Sequence, residues 1–289
     1  MQHHLYKFTV MTSPCEVHIY HHDATKSRAI ASQILEMAKG LEQRYNFYNP
    51  NSLLSAINQR RESRLDWQTK ELLQRAKLFY TQTEGIFDVT MGTLVATRQQ
   101  TSRAKVEEAH AQLLPFVGVD HFRIKRDTIH FDNPHTLIDL GGFVKEFAVD
   151  MAVKILKKAK VTSALINFGG DIYALGSKPD DRPFSIGIKN PLDPSRYITH
   201  LPLQDQALTT SASYERNRII EGESYSHIIS TAPLQERIIS TTVLSSSVVE
   251  SGVFSTSLMI KPTLPTRLQR LLISDCLEIN SYGVNLEKL

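Results

Sequence analysis

The hydrophobic pattern changes period at Gly141-Gly142, and that change constrains the chain more than any other feature. Beyond the two glycines a strong helix is predicted over about Phe143 to Lys158, with Phe143, Phe147, Met151 and Ile155 on one stripe. Short extended runs then take over, at 163 to 167, 184 to 189, 197 to 203, 217 to 220 and 238 to 244, before a helical segment near 250 to 260. Helices and strands are mixed without regular βαβ alternation. This argues for an α+β architecture and against a doubly wound parallel sheet.

The first half fits the same class. Leu5, Phe8, Val10, Val17 and Ile19 suggest a hairpin over residues 5 to 20 with its turn at Ser13-Pro14. Ile30, Ile34, Leu35, Met37, Ala38 and Leu41 recur at the helical period, predicting a helix from Lys26 to about Tyr45. Asn49-Pro50-Asn51 breaks the chain, and Ser52 caps a short helix through Ile57. Another helix is expected from about Thr69, with its hydroxyl as cap, to Thr83, ended by Gly85. Residues 98 to 110 read as a loop and an exposed helix, and strands are expected at 121 to 131 and 136 to 138. With no internal repeat and no Ser/Gly-rich linker, residues 1 to 289 read as one continuous domain.

The chain of 289 residues is 41% apolar and 22% charged, ordinary values for a folded globular protein. Its net charge of +3 comes from 33 basic and 30 acidic residues spread along the sequence, so no basic stripe suggests a nucleic-acid partner. No run of about eighteen apolar residues marks a membrane span, and the N-terminal residues lack the ingredients of a secretory signal. A cytoplasmic location is the expectation. Cys15 and Cys276 are far apart and outside any metal-ligand spacing, reading as two free thiols. His3-His4 and His21-His22 are expected in solvated turns.

Standard nucleotide and hydrolase motifs are missing, so phosphate recognition needs another device. Ile138 through Lys145 offers one: a strand runs into two glycines and a helix, where exposed backbone N–H groups form an anion site. Lys145 in the first turn opposes the helix dipole, which makes sense beside a phosphate. The alternative is a tight turn with Lys145 in water. Gly85-Ile86-Phe87-Asp88-Val89-Thr90-Met91-Gly92 combines an aromatic, a carboxylate and a hydroxyl between glycines; it could hold a planar ring or simply cap a helix. Asn167-Phe168-Gly169-Gly170-Asp171 reads as a hairpin turn with a structural role. In Tyr225-Ser226-His227-Ile228, the histidine is either a general base or a core residue.

Taken in order from Met11 to about Met259, these clusters resemble the ApbE family of FAD:protein FMN transferases. Tyr48-Asn49-Pro50-Asn51-Ser52 with Asn58, Gly85 to Gly92 with Ile86 in place of alanine, and Asp139-Leu140-Gly141-Gly142 through Lys145 to Asp150 each match a family block. So do Asn167 to Asp171 and Ser226-His227-Ile228. The resemblance implies a T-fold-like α+β domain that binds FAD and, with Mg²⁺, transfers FMN to a Thr or Ser hydroxyl of a target flavoprotein, releasing AMP. It implies that Met11, Tyr48, Ile86, Phe87, Asp88, Asp139, Lys145 and Ile228 line the FAD site and that His227 accepts the proton.

One departure concerns the metal. The family closes its metal site with Ala-Asp-x-x-x-Thr, whereas this chain reads Ser251-Gly252-Val253-Phe254-Ser255-Thr256. Thr256 remains, Gly252 brings no side-chain oxygen, and Glu250 would need a shifted backbone to substitute. The implied metal ligands reduce to the Gly142 carbonyl, Thr256 and the pyrophosphate. Glu146 also stands where the family usually has a second glycine. Thr210-Ser211-Ala212-Ser213-Tyr214 replaces the family's Thr-Ser-Gly-Asp-Tyr, and Ser230-Thr231-Ala232-Pro233 its Asp-Pro-x-Thr-Gly. These changes keep two alternatives open, a catalytically degenerate FAD-binding protein and a pyrophosphatase giving FMN and AMP. If the metal site is crippled, Gly252→Asp is expected to raise turnover.

Overall fold

The first strands, β1 (Gln2–Val10) and β2 (Ser13–His21), pair antiparallel with Val10 opposite Ser13 and Thr9 opposite Pro14. The turn is therefore Met11-Thr12, not Ser13-Pro14. Both residues take left-handed backbone (φ 52° and 57°), the geometry of a two-residue hairpin turn whose twist matches the strands. His3, His4 and His21 lie in these strands rather than in solvated turns, and His3 stacks between His18 and Tyr20.

This computed structural model describes residues 1–99, 103–193, 195–212, 217–220, 223–226, 238–276 and 278–284. After the hairpin come α1 (Ala24–Tyr45), α2 (Leu53–Asn58), α3 (Trp67–Gln82), α4 (Gly92–Val95) and α5 (Arg103–Leu113). A small hairpin, β3 (Phe122–Lys125) and β4 (Thr128–Phe131), precedes α6 (Val144–Lys158). Seven strands follow: β5 (Ala164–Phe168), β6 (Asp171–Leu175), β7 (Phe184–Lys189), β8 (Tyr197–Leu203), β9 (Gln206–Ala212), β10 (Asn217–Ile220) and β11 (Glu223–Ser226). The rest is β12 (Ile238–Ser245), α7 (Val248–Ile260), β13 (Gln269–Ser274) and β14 (Ile279–Tyr282). The α+β class holds, and among the described residues no helix is long and apolar enough to cross a membrane.

Two compact units emerge. The first comprises Met1–Glu42, Gly142–Ala212 and Leu234–Leu289; the second comprises Gln43–Gly141 and Ser213–Pro233. In the first, eight strands form one antiparallel sheet ordered β1-β2-β5-β6-β9-β12-β13-β14. Alternate side chains sort to its two faces. Ile172 and Ala174 of β6, Leu208 of β9 and Leu244 of β12 pack with Phe184, Ile186, Leu201 and Leu203 of the β7–β8 hairpin. The intervening residues face α6 and α7: Lys157 Nζ lies 5.8 Å from the Tyr173 ring, and Thr209 Oγ1 lies 2.9 Å from Ser251 Oγ. Cys15, buried in β2, has its thiol pushed up to about 11 by burial, while Cys276 is exposed and both are free.

The second unit corrects three expectations. Helix α3 starts at Trp67 with Asp66 as cap, its Oδ1 accepting from Thr69 N–H at 2.8 Å; Thr69 is buried inside the helix, bonded to Tyr45. The other end is as expected, Gly85 N–H donating to the Tyr80 carbonyl. Residues 136 to 138 are not a strand, because their backbone groups are met by side chains: Leu137 N–H by Thr93, and both peptide groups of Ile138 by the Asn58 amide at 2.8 Å. Strand 121 to 131 is a hairpin, β3–β4. In the first unit, α6 buries Phe147, Ala148, Ala152 and Leu156, whereas Met151 and Ile155 of the expected stripe are half-buried.

Burial pushes the Asp66 carboxyl up, but hydrogen bonds from Thr69 and Arg44 outweigh it and hold it below its ordinary value. Its contribution to stability is therefore complete above about pH 4 and is lost as pH falls through the lower folded value. Asp66→Ala is expected to cost about 1–2 kcal/mol in urea denaturation at pH 7, with the deficit shrinking in acid. Asp66→Asn should recover most of the cap.

Candidate functional site

The first unit takes up the chain again at Gly142, the second glycine of the pair, which leads into α6 as the sequence suggests. Gly142 is exposed, and Phe143 at the cap position gives no side-chain cap to the helix start. Its first backbone N–H groups thus present the positive end of the helix dipole. Lys145 does not extend into water. Its side chain is 15% exposed, and Nζ lies 2.6 Å from Oδ2 of Asp171, which is 4% exposed. Asp171 opens β6 on the face turned toward the helices, directly after the Gly169-Gly170 turn that Asn167 closes by accepting from Gly170 N–H. The cluster read as a mere turn therefore delivers the lysine's counter-ion.

Helix α7 meets α6 at its start. The Asp150 carboxylate accepts from Val248 N–H at 2.8 Å and from Val249 N–H at 3.3 Å, so a side chain of α6 caps α7 together with Ser247. Four residues earlier on α6, Glu146 is 8% exposed and lies against Gly252: a Cβ at 252 would sit 2.6 Å from Glu146 Cγ and 3.4 Å from its Oε1. This bears on the expected gain from Gly252→Asp, because an aspartate there displaces Glu146. Helix α7 runs unbroken through Glu250, whose N–H is held by Ser247, so the backbone shift that Glu250 needs to substitute is not seen. Thr256 is placed from β9: Ser211 Oγ lies 3.0 Å from Thr256 Oγ1 and 2.8 Å from Ser255 Oγ.

Met11 is the remaining candidate in this unit. Its left-handed backbone costs roughly 1 kcal/mol, and its N–H donates to Glu42 Oε1 at 2.8 Å. The carboxylate of α1 therefore fixes a strained residue at the tip of the β1–β2 turn.

In the second unit, the segment before Gly141 is pinned from four sides. Asn58 holds Ile138, Thr93 holds Leu137, and Asp139 N–H donates to the Val89 carbonyl at 2.7 Å. Gly92 packs so closely that a Cβ would meet Asp139 N and Leu137 O at 2.8 Å. This is the close approach that the glycine-bounded cluster implied. The carboxylate of Asp139 accepts from Gly141 N–H at 2.8 Å. Asp88 accepts from Thr90 N–H and hydroxyl; burial pushes its carboxyl up despite those bonds. Ile86 and Phe87 are half-buried, Phe87 edge-on to Phe79, and Tyr48 is 71% exposed.

The expected residues thus divide. Met11, Gly142, Lys145 and Thr256 belong to the first unit; Tyr48, Ile86, Phe87, Asp88 and Asp139 belong to the second. His227 and Ile228 lie outside the described residues. Asp171, Ser211 and Glu42 were not anticipated in a supporting role. Only the period-2 placement of Asp171 and Ser211 on their strands could have pointed to two of them. Among the described residues no group of three or more His, Cys, Asp or Glu side chains could hold a metal. The oxygens of Glu146, which lies against Gly252, and of Thr256 on α7 are hard donors of the kind magnesium takes, along with substrate phosphates.

Comparison with known proteins adds to this geometry. The sequence model of the ApbE family matches residues 11–272. An FAD:protein FMN transferase of Chlamydia pneumoniae is 30% identical over 217 residues, 72% of this chain and 67% of that protein. One from Vibrio cholerae is 27% identical over 225 residues, 73% of this chain and 67% of that protein. Among solved structures, the ApbE protein of Thermotoga maritima superposes with a TM-score of 0.86 at 24% identity, covering 98% of this chain and 97% of that one. The flavin transferase ApbE from Vibrio cholerae gives 0.81 at 22% identity, covering 97% and 96%. These likenesses establish the fold.

The ion pair offers a direct check. Asp171→Asn leaves the Lys145 ammonium without its carboxylate and is expected to cost about 3 kcal/mol. Urea unfolding at neutral pH, compared with a Lys145→Met/Asp171→Asn double variant that removes the stranded charge, measures it.

Proposed function

This chain belongs to the ApbE family, and from that premise we propose that it is an FAD:protein FMN transferase, moving FMN from FAD to a Thr or Ser hydroxyl of a target flavoprotein and releasing AMP. The observation that carries the reading is Lys145, held by Asp171 in the first turn of an α6 whose cap residue, Phe143, offers no side-chain cap of its own. Lysine has three N–H donors, so an ammonium oriented by Asp171 can also donate to pyrophosphate oxygens. The backbone N–H groups of the same turn add to that pull.

In the reaction, the acceptor oxygen bonds to the phosphorus of the FMN half, the P–O bond to AMP breaks, and AMP leaves with the electron pair. His227 takes the hydroxyl proton as general base. Asp171 orients the ammonium, and Glu42 fixes Met11 beside the flavin. Tyr48, Ile86, Phe87 and Ile228 supply apolar surface for the ring system, while Asp88 and Asp139 supply polar contacts. Magnesium, when bound, neutralises charge on the pyrophosphate oxygens; the Gly142 carbonyl and Thr256 are ligands in this reading. The proposal extends to residues 1–289 as one functional domain, since the chain passes between the two units at 42/43, 141/142, 212/213 and 233/234. It also takes the acceptor to be a cytoplasmic flavoprotein, with no nucleic acid involved.

Incubation of the protein with FAD, Mg²⁺ and an acceptor flavoprotein should add the mass of one FMN to a threonine or serine, as read by mass spectrometry. His227→Ala should lower the rate by about 100-fold or more. FMN and AMP released with no labelled acceptor would indicate a pyrophosphatase, and FAD binding without turnover a degenerate member.

A further inference from the structure

Two departures from the family pattern, Glu146 for a glycine and Gly252 for an aspartate, lie 106 positions apart in sequence but touch in the fold. We propose that they are one exchange: Glu146 of α6 supplies the metal-binding carboxylate that position 252 of α7 has given up. The inference rests on the transferase reading and goes beyond it by assigning the ligand.

The contact is specific. A Cβ at Gly252 would lie 2.6 Å from Glu146 Cγ, 3.3 Å from Cδ and 3.4 Å from Oε1. The glutamate side chain therefore occupies the space into which a side chain at 252 would grow. Two carboxylates cannot share it. Gly252 is needed because Glu146 is there, and the longer arm of glutamate reaches across from the neighbouring helix.

The helix pairing aims it. Asp150 and Glu146, four residues apart, share one face of α6. Asp150 meets the backbone of Val248, and Glu146 meets Gly252, so a step of four down α6 matches a step of four up α7. A further step of four reaches Thr256 on α7 and, in sequence, Gly142 just ahead of the start of α6, the two remaining candidate ligands. Ser211 holds the Thr256 hydroxyl on that side. The donor set is then one carboxylate, one hydroxyl and one carbonyl, all oxygen. Magnesium suits such a set, because it keeps several waters and is bound by one or two carboxylates plus substrate phosphates. At 8% exposure the Glu146 charge acts on a cation with little solvent screening.

The test reads metal binding directly. Mn²⁺ is titrated into the full-length protein saturated with FAD, and free Mn²⁺ is followed by electron paramagnetic resonance; FAD affinity is measured separately by its fluorescence. Loss of even an outer partner of a metal site costs about 10–100-fold, so Glu146→Gln should weaken Mn²⁺ binding at least tenfold. Glutamine has nearly the same shape and volume as glutamate and fills the same space against Gly252, so the thermal midpoint should hold. Gly252→Asp alone should lower that midpoint, because its Cβ meets Glu146. The reciprocal variant Glu146→Gly/Gly252→Asp should restore both stability and Mn²⁺ binding. Unchanged Mn²⁺ affinity in Glu146→Gln, or no Mn²⁺ binding by FAD-loaded wild type, overturns the assignment and leaves the transferase reading standing. Failure of wild type to bind FAD at all overturns both.

Discussion

The central sheet of the first unit is covered on both faces, and every strand in its middle must satisfy two different neighbours at once. On β6 and β9, Ile172, Ala174 and Leu208 go to the β7–β8 hairpin, where an apolar core forms. Asp171, Thr209 and Ser211 go to the helices, where each finds a polar partner in Lys145, Ser251 or Thr256. A one-residue slip would bury the carboxylate of Asp171 in that apolar core and turn Ile172 toward the lysine. The register of these strands is thus tied to the candidate chemistry. Polar residues that look like defects in a core strand are what aim the helices.

The same economy of position governs the two ends of the site motif. In the second unit, the segment leading to Asp139 has given up strand pairing for side-chain partners, with the Asn58 amide standing in for a neighbouring strand. A strand partner would tolerate many side chains, whereas an amide bonding both peptide groups of Ile138 fixes one backbone path. In the first unit, α6 and α7 are joined by Asp150, which caps the second helix from the first. Charged and polar side chains here act as fasteners whose geometry is narrower than that of apolar packing.

Met11 shows a related choice. A glycine or asparagine would adopt the left-handed turn more easily, yet a methionine stands there with Glu42 holding its N–H. Strain that neighbouring residues enforce is a familiar mark of a binding loop. No helical or strand periodicity would have shown it.

Sequence by itself determined the α+β class, the main helices, the Ser52 cap and the order of glycine-bounded clusters that marks the family. Those features are set by local period, by turn chemistry and by residue types at fixed spacing, all of which survive in one dimension. It gave β6 only as the unbounded second arm of the Asn167–Asp171 hairpin and did not give β9 as a strand, because Thr209, Thr210 and Ser211 interrupt its apolar pattern. Nor could it place Asp171 beside Lys145, or join Glu146 to Gly252, because those contacts span 26 and 106 positions and exist only once sheet register and helix pairing are fixed. Read along the chain, Gly252 is a lost ligand; in three dimensions it is the space that Glu146 fills.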